Sequence, residues 1–214
     1  DYALSKTMGM ESTLNFAVNA MGAQGINNFH DASSGVVHSY QIFTTISKML
    51  KDPVAFKIRM DDLESFSRVE KEDAIFYDFE VAEKAATADI ELPSAIKTDG
   101  VELFSIRDSY DPAESDFYFS THFGITSGYH THNDTGTFVL DMIGERWAED
   151  LGAENYNLQN ELGYKDADLY RKRAEGHNVM VLNPNTAFNQ TEDMFVPITD
   201  YASNDNGGYV VADM

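Results

Sequence analysis

The 214-residue chain, 43% hydrophobic and 12% aromatic, is long and apolar enough to bury a core, which excludes a disordered segment. Its 36 acidic residues against 15 basic ones, a formal charge of -21, exclude nucleic acid as a partner, because phosphate binding draws on Lys and Arg. The absence of cysteine excludes disulfides and thiolate metal sites and leaves His and carboxylate as the strong ligands.

No apolar run reaches the roughly 18 residues of a membrane span, so a soluble chain with no membrane partner is expected. The opening DYALSKTMGM lacks both the order of a signal peptide and an initiator Met, and residue 1 reads as an internal start. Helical spacing runs through SKTMGMESTLNFAVNAMGAQG, with Gly22 and Gly25 as a stop signal. NNFHDASSG, residues 27–35, is rich in turn and cap types. VVHSYQIFTTISKML is apolar on one face until Lys51, Asp52 and Pro53 end it, and PVAFKIRMDDLESF fits a third helix with Pro53 in its first turn. From about Ala74 the period changes to 2: AIFYDFEV, VELFSIRDSY and DFYFSTHFG alternate and are rich in β-formers. TGTFVLDMIGERWAEDLG reads as a hairpin turning at Gly144 and Glu145, with further strands at HNVMVLNP and GGYVVADM.

Helices followed by strands indicate an α+β chain, divided as a helical segment 1–73 and an antiparallel β unit 74–214. The helices must bury their apolar face against the sheet, against a partner segment not in this chain, or against another copy. There is no internal repeat.

The chemistry gathers in the second half: His130 and His132 in GYHTHNDTGTF, Asp150 in GERWAEDLG and His177 in RKRAEGHNVMV. On an extended strand, residues i and i+2 share a face, so His130 and His132 can reach one site. His132, Asp150 and His177 could supply the three His and carboxylate ligands that zinc takes, although an isolated His-x-His is as often merely hydrogen-bonded. His30, His38 and His122 sit in no motif, and Trp147 falls at an alternating position that reads as core.

HTHNDTGTFVLDMIGERWAEDLG with YRKRAEGHNVMVLNP resembles the signature of heparinase II/III-type polysaccharide lyases. In that signature His-x-His-x-Asp leads into a Phe-containing strand, and a later strand opens with His-Asn. The resemblance extends more loosely through NNFHDAS, IFYDF and VELFSIRDSYD. It implies the last helices of an (α/α) toroid followed by an antiparallel β-sandwich, and elimination chemistry on an acidic, uronic-acid polysaccharide. It also implies zinc held by His132, Asp150 and His177, with His130 facing substrate as a catalytic residue; Asp134 reads either as a group orienting a His ligand or as a turn or cap residue. A periplasmic or secreted location suits such a substrate better than the cytoplasm. The family's catalytic Tyr belongs to a Glu-Gly-x-x-Tyr motif that this chain lacks, and Tyr2 does not match it, so the chain by itself is expected to be inactive. Arg107 and Arg171 are the basic residues placed nearest the site, as binders of substrate carboxylate or sulfate, with a structural ion pair as the alternative for each.

Two other classes compete. His132-x-Asp134 with His177 also spells the facial triad of non-haem iron oxygenases, but NVMVLNPNTAFNQTEDMF after His177 has no Arg or Lys to hold a carboxylate cosubstrate. A cupin pattern fails because Thr135, Gly136 and Thr137 stand where it needs Glu. The non-enzymatic alternative is a carbohydrate-binding or structural sandwich whose metal only staples strands.

Overall fold

A computed structural model describes residues 10–32, 41–66, 69–87, 93–110, 114–125, 127–128, 130–181, 190, 193–204 and 206–214. Tyr2, His38 and the end of the HNVMVLNP string lie outside the described residues.

Helix α1 (Met10–Asn19) is followed by a small hairpin of β1 (Met21–Gly22) and β2 (Gly25–Ile26), then by α2 (Gln41–Leu50) and α3 (Pro53–Phe66). Asp52 starts α3 by accepting from the Val54 N–H at 2.8 Å, with Pro53 beside it where a missing N–H costs nothing. Phe43 and Ile46, one turn apart on α2, are buried with Val18 of α1 and Ala55 and Ile58 of α3, and Ile96 of the sheet packs against them. The helices therefore bury their apolar face partly against the sheet, each large side chain contributing about 1.5–3 kcal/mol.

The alternating string that begins at Ala74 forms helices, not a strand: α4 (Lys71–Phe76) and α5 (Phe79–Thr87). Local caps override the period-2 pattern. The Asp73 carboxylate accepts from the Glu70 N–H at 2.9 Å, and Asp78 accepts from the Glu80 and Val81 N–H groups at 3.1 and 3.2 Å. Two caps so close together break the segment into short helices, leaving Phe79 at the surface and Val81 inside. Asp73 is also buried against Arg59, whose Nε donates to it at 2.9 Å, and the Thr44 hydroxyl donates to it as well. Burial alone would raise its pKa, but these hydrogen bonds and the Arg59 charge lower it to about 2. Because the folded pKa is depressed, this stability is present above about pH 4 and is lost as pH falls toward 2. It amounts to roughly 2.5 kcal/mol. In urea titrations from about pH 5 to pH 2, the stability lead of wild type over Asp73→Asn should shrink by about that amount; a lead that stays constant would refute the linkage.

The centre is a five-stranded antiparallel sheet in the order β3 (Ala95–Thr98), β4 (Leu103–Arg107), β5 (Phe117–His122), β7 (Phe138–Met142), β8 (Glu145–Ala148). A short ladder joins β6 (Gly124–Ile125) to β9 (Phe195–Val196), and β10 (Ile198–Asn204) pairs with β11 (Gly207–Ala212). Phe104 and Ile106 of β4 face Val196, Ile198 and Val210, so β9 and the β10–β11 hairpin form a second β layer over one side of the sheet. The opposite side packs on α1 and the segment after it: Leu103, Tyr118 and Val139 meet Phe29, and the Asn19 amide donates to the Leu103 carbonyl at 2.7 Å. Ile143 and Gly144, at φ 52° and 77°, make the β7–β8 turn, one residue earlier than the sequence suggests. Residues 177–179 are bends and residues 180–181 are irregular rather than a strand, following three turns of 3-10 helix. Among the described residues, no helix is long and apolar enough to cross a membrane.

Candidate metal centre

Three loops meet at one end of the central sheet. Alternation along β5 puts Tyr118, Ser120 and His122 on the face toward residues 27–31. There the Asn27 amide donates to the Ser120 hydroxyl at 2.8 Å, and the Tyr118 hydroxyl donates to Asn27 at 3.0 Å. The 130–137 loop folds back over the end of β5, with the Gly136 N–H on the His122 carbonyl at 2.7 Å and the His122 N–H on the Thr137 carbonyl at 3.1 Å. The loop after β8 is clamped at Gly152, which has φ 62°; a Cβ there would lie 2.2 Å from the Ala32 carbonyl oxygen. Gly152→Ala should therefore push apart the loops carrying Asp31 and Asp150. Steric strain at positive φ plus the backbone clash predicts a loss of at least about 2 kcal/mol, roughly 4–8 °C in Tm. An unchanged thermal midpoint would refute the clamp.

His132, Asp134, Asp150 and His177 are all buried here. His132, Asp134 and His177 each offer a ligand atom within 4.8 Å of the others. His132 Nδ1, His177 Nε2 and Asp134 Oδ1 are buried without a hydrogen-bond partner, an arrangement that costs free energy unless something binds them. Their other atoms are engaged: His132 Nε2 lies 2.8 Å from Asp31 Oδ1, His177 Nδ1 2.7 Å from Asp150 Oδ2, and Asp134 Oδ2 2.9 Å from His30 Nδ1. Each ligand candidate is thus oriented from behind, as metal-binding groups are. Asp150 is further fixed by the Gly152 N–H at 2.9 Å and the Thr137 hydroxyl at 3.1 Å.

The structure groups the two carboxylates differently from the ligand set that the resemblance implies. Asp134, read as a supporting residue, joins His132 and His177, whereas Asp150 takes the far nitrogen of His177. The reason is the 130–137 loop: it turns tightly, the Thr137 N–H bonding the Asp134 carbonyl at 2.8 Å, and this carries Asp134 inward. The same turn separates the His-x-His pair, since the stretch is not an extended strand. His132 points inward, while His130, at φ 71°, keeps its side chain 66% exposed and belongs to neither group of candidate ligands.

Asp134 is shared with a second group, His30 and His122, whose Nε2 atoms are 2.6 Å apart. Sequence reasoning passed over both histidines, and over Asp31 and Tyr156. The usable signals were the polar NNFHDAS string and the position of His122 two residues beyond Ser120 on an alternating strand. Burial in this cluster drives the His122 pKa down to about 4 and also lowers that of His132, so both rings are neutral near pH 7. Asp31 is lowered to about 2, because hydrogen bonds from Tyr156, His132 and His130 and the Lys172 charge outweigh its burial. Lys172, itself buried and with Nζ 3.7 Å from Asp31, balances that carboxylate. Asp134 and Asp150 are two buried carboxylates whose ion-pair partners are histidines rather than Lys or Arg, a setting that suits a divalent cation.

The arginines placed near a substrate by the sequence make structural contacts. Arg107 is buried, donating to the Val18 carbonyl at 3.0 Å and lying over the rings of Tyr110 and Tyr118 at 4.5 and 4.8 Å, so it ties α1 to the sheet. Arg171 braces the loop after Asp150 through the carbonyls of Leu151 and Ala153. Trp147, expected in the core, is 69% exposed on the edge strand β8, with its indole N–H on the Met142 carbonyl at 2.9 Å.

No protein-family model and no curated protein matches the sequence. Solved structures do match. A heparinase III aligns over 92% of this chain with a TM-score of 0.58 at 15% identity, and a heparan sulfate lyase HepC mutant from Pedobacter heparinus over 91% with a TM-score of 0.57 at 10% identity. The fold of this chain is that of the matching part of these heparinases. In each case the match covers 26% of the other protein, so this chain spans about a quarter of the length of the heparinases it resembles.

Proposed function

We propose that the protein to which this chain belongs is a polysaccharide lyase that cleaves a uronic-acid polymer by β-elimination. The observation that supports this reading best is a heparinase-type fold in which an exposed His130 stands beside a buried His and Asp cluster. In the elimination a base removes the C5 proton α to the uronate carboxylate, the C4–C5 double bond forms, and the C4–O4 bond breaks with a proton delivered to O4. His130 is the residue of this chain suited to hold or pass one of those protons, since its imidazole is exposed and its two ring nitrogens can donate or accept. His132, Asp134 and His177 would hold a zinc ion, which supplies the positive charge that the buried carboxylates lack and fixes the loop presenting His130.

Of the basic run, Arg173 pairs with Glu175, Lys172 with Asp31 and Asp166, and Arg171 with backbone carbonyls and Glu154, so these three residues are held by the chain itself and are not assigned to neutralising the substrate carboxylate. A polymeric substrate suits a periplasmic or secreted enzyme. The test is to incubate the full-length protein and the 214-residue chain separately with heparan sulfate, alginate and other uronic polymers, following ultraviolet absorbance of the unsaturated product. Product from the full-length protein and none from the chain alone is expected. A full-length protein inactive on every such polymer would leave the structural, metal-stapled sandwich as the better reading.

One observation favours a second reading: His132, Asp134 and His177 are the ligand types of the non-haem iron facial triad. The heparinase-type fold and the lack of a basic residue after His177 weigh against it. Metal analysis of protein purified without added metal separates the two, iron favouring the oxygenase and zinc the lyase.

A further inference from the structure

His130 is exposed, but its ring is not free. Nδ1 lies 3.0 Å from Asp31 Oδ2 and 2.7 Å from the Tyr156 hydroxyl oxygen, and that hydroxyl donates to the same Asp31 oxygen at 2.6 Å. Counting protons resolves the three-way contact. An ionised carboxylate only accepts, so the single Tyr156 proton points at Asp31, and the Tyr156 oxygen then turns a lone pair toward the ring. Both oxygens near Nδ1 are therefore acceptors. Nδ1 must carry the hydrogen, and Nε2 is the bare nitrogen of a side chain that is 66% exposed.

The other oxygen of Asp31 performs the opposite assignment on the next histidine. Oδ1 is 2.8 Å from His132 Nε2, which places that ring's hydrogen on Nε2 and leaves the buried, unpartnered Nδ1 with its lone pair facing the metal centre. We infer that Asp31, assisted by Tyr156, is a positioning residue that sets opposite tautomers on the two histidines of the His-x-His pair. One ring presents its lone pair to substrate and the other to metal. This deepens the lyase reading and rests on it only for the word substrate.

The surroundings fit this task. His130 is held at φ 71°, a region unfavourable for a residue with a Cβ, and its carbonyl accepts from the Asp31 N–H at 3.3 Å, so backbone and side chain of Asp31 grip it together. Tyr156 opens α6 (Tyr156–Asn160), where the Asn155 side chain accepts from the Asn157 N–H at 3.0 Å and fixes the start of the turn. Asp31 joins neither group of candidate ligands, so its effect on the centre passes through the rings.

The deciding measurement is a long-range proton–nitrogen NMR correlation on zinc-loaded protein labelled at histidine, with and without chelator. His130 should show a protonated Nδ1 and a bare Nε2, and His132 the reverse. Asp31→Asn or Asp31→Ala should leave His130 as a mixture of tautomers, and Tyr156→Phe should retain the wild-type tautomer with broadened His130 signals. In the full-length protein, Asp31→Asn should lower kcat by about 10²-fold with KM changed less than about threefold, and Tyr156→Phe by about 3- to 10-fold. A wild-type His130 carrying its hydrogen on Nε2 would overturn the inference, as would an Asp31→Asn protein whose tautomers are unchanged. The NMR arm needs no turnover, so a protein inactive on uronic polymers would count against the lyase reading and leave the tautomer assignment standing.

Discussion

Asp134→Ala should strip the metal centre, lowering bound zinc from about one equivalent to less than about a tenth, while Asp150→Asn should keep the ion and weaken its binding by about 10–100-fold. The difference follows from which atoms are free. Asp134 Oδ1 is buried and unpartnered beside His132 and His177, whereas both oxygens of Asp150 are engaged, Oδ1 by the Gly152 N–H and Oδ2 by Thr137 and His177. Removing Asp134 also unpairs the His30 N–H, which donates to it at 3.1 Å, at a cost of about 1–3 kcal/mol. Asp134→Asn keeps an acceptor for that donor and separates loss of metal from loss of fold. Equilibrium dialysis against zinc with thermal melts of both Asp134 variants is the measurement. Should the Asp150 variant lose the ion and the Asp134 variants retain it, Asp150 is the ligand, as the motif resemblance implies.

The second large effect is expected at His130. In the full-length protein, His130→Ala should cut kcat by about 10²–10⁴-fold while zinc stays near stoichiometric, because the ring is exposed and outside both groups of candidate ligands. Stability should change by less than about 1 kcal/mol, since little surface is uncovered. His130→Gly makes a sharper comparison. Glycine relieves the strain at φ 71° but adds freedom to the unfolded chain, so activity should be lost with the thermal midpoint nearly unmoved. A fall in bound zinc in either variant would move His130 into the metal shell and refute its assignment to substrate.

How much of this was legible in the sequence depends on how local each determinant is. The span of α3 was readable because Asp52 and Pro53 state its start within adjacent residues, and the order of helices before strands followed from a change of period. His132 and His177 could be named because the strings around them carry a family's spelling. The alternating residues from Ala74 misled because alternation is a statement about burial, and Asp73 and Asp78 set the backbone there by capping instead.

Only the tertiary structure could divide the labour among the acidic and histidine residues. Asp134 and Asp150 are the same side chain, and which of them has a free oxygen is decided by the Gly152 N–H two residues on, by Thr137 from the neighbouring loop and by His30 from about a hundred positions away. Likewise, Arg107 is of the type that binds sulfate or carboxylate, and becomes structural because Val18 and two tyrosine rings surround it. Composition and motif specify which groups a chain possesses. Desolvation and hydrogen-bond saturation, which depend on residues about a hundred positions away such as Asp31 beside His130, decide which of those groups remain free to do chemistry.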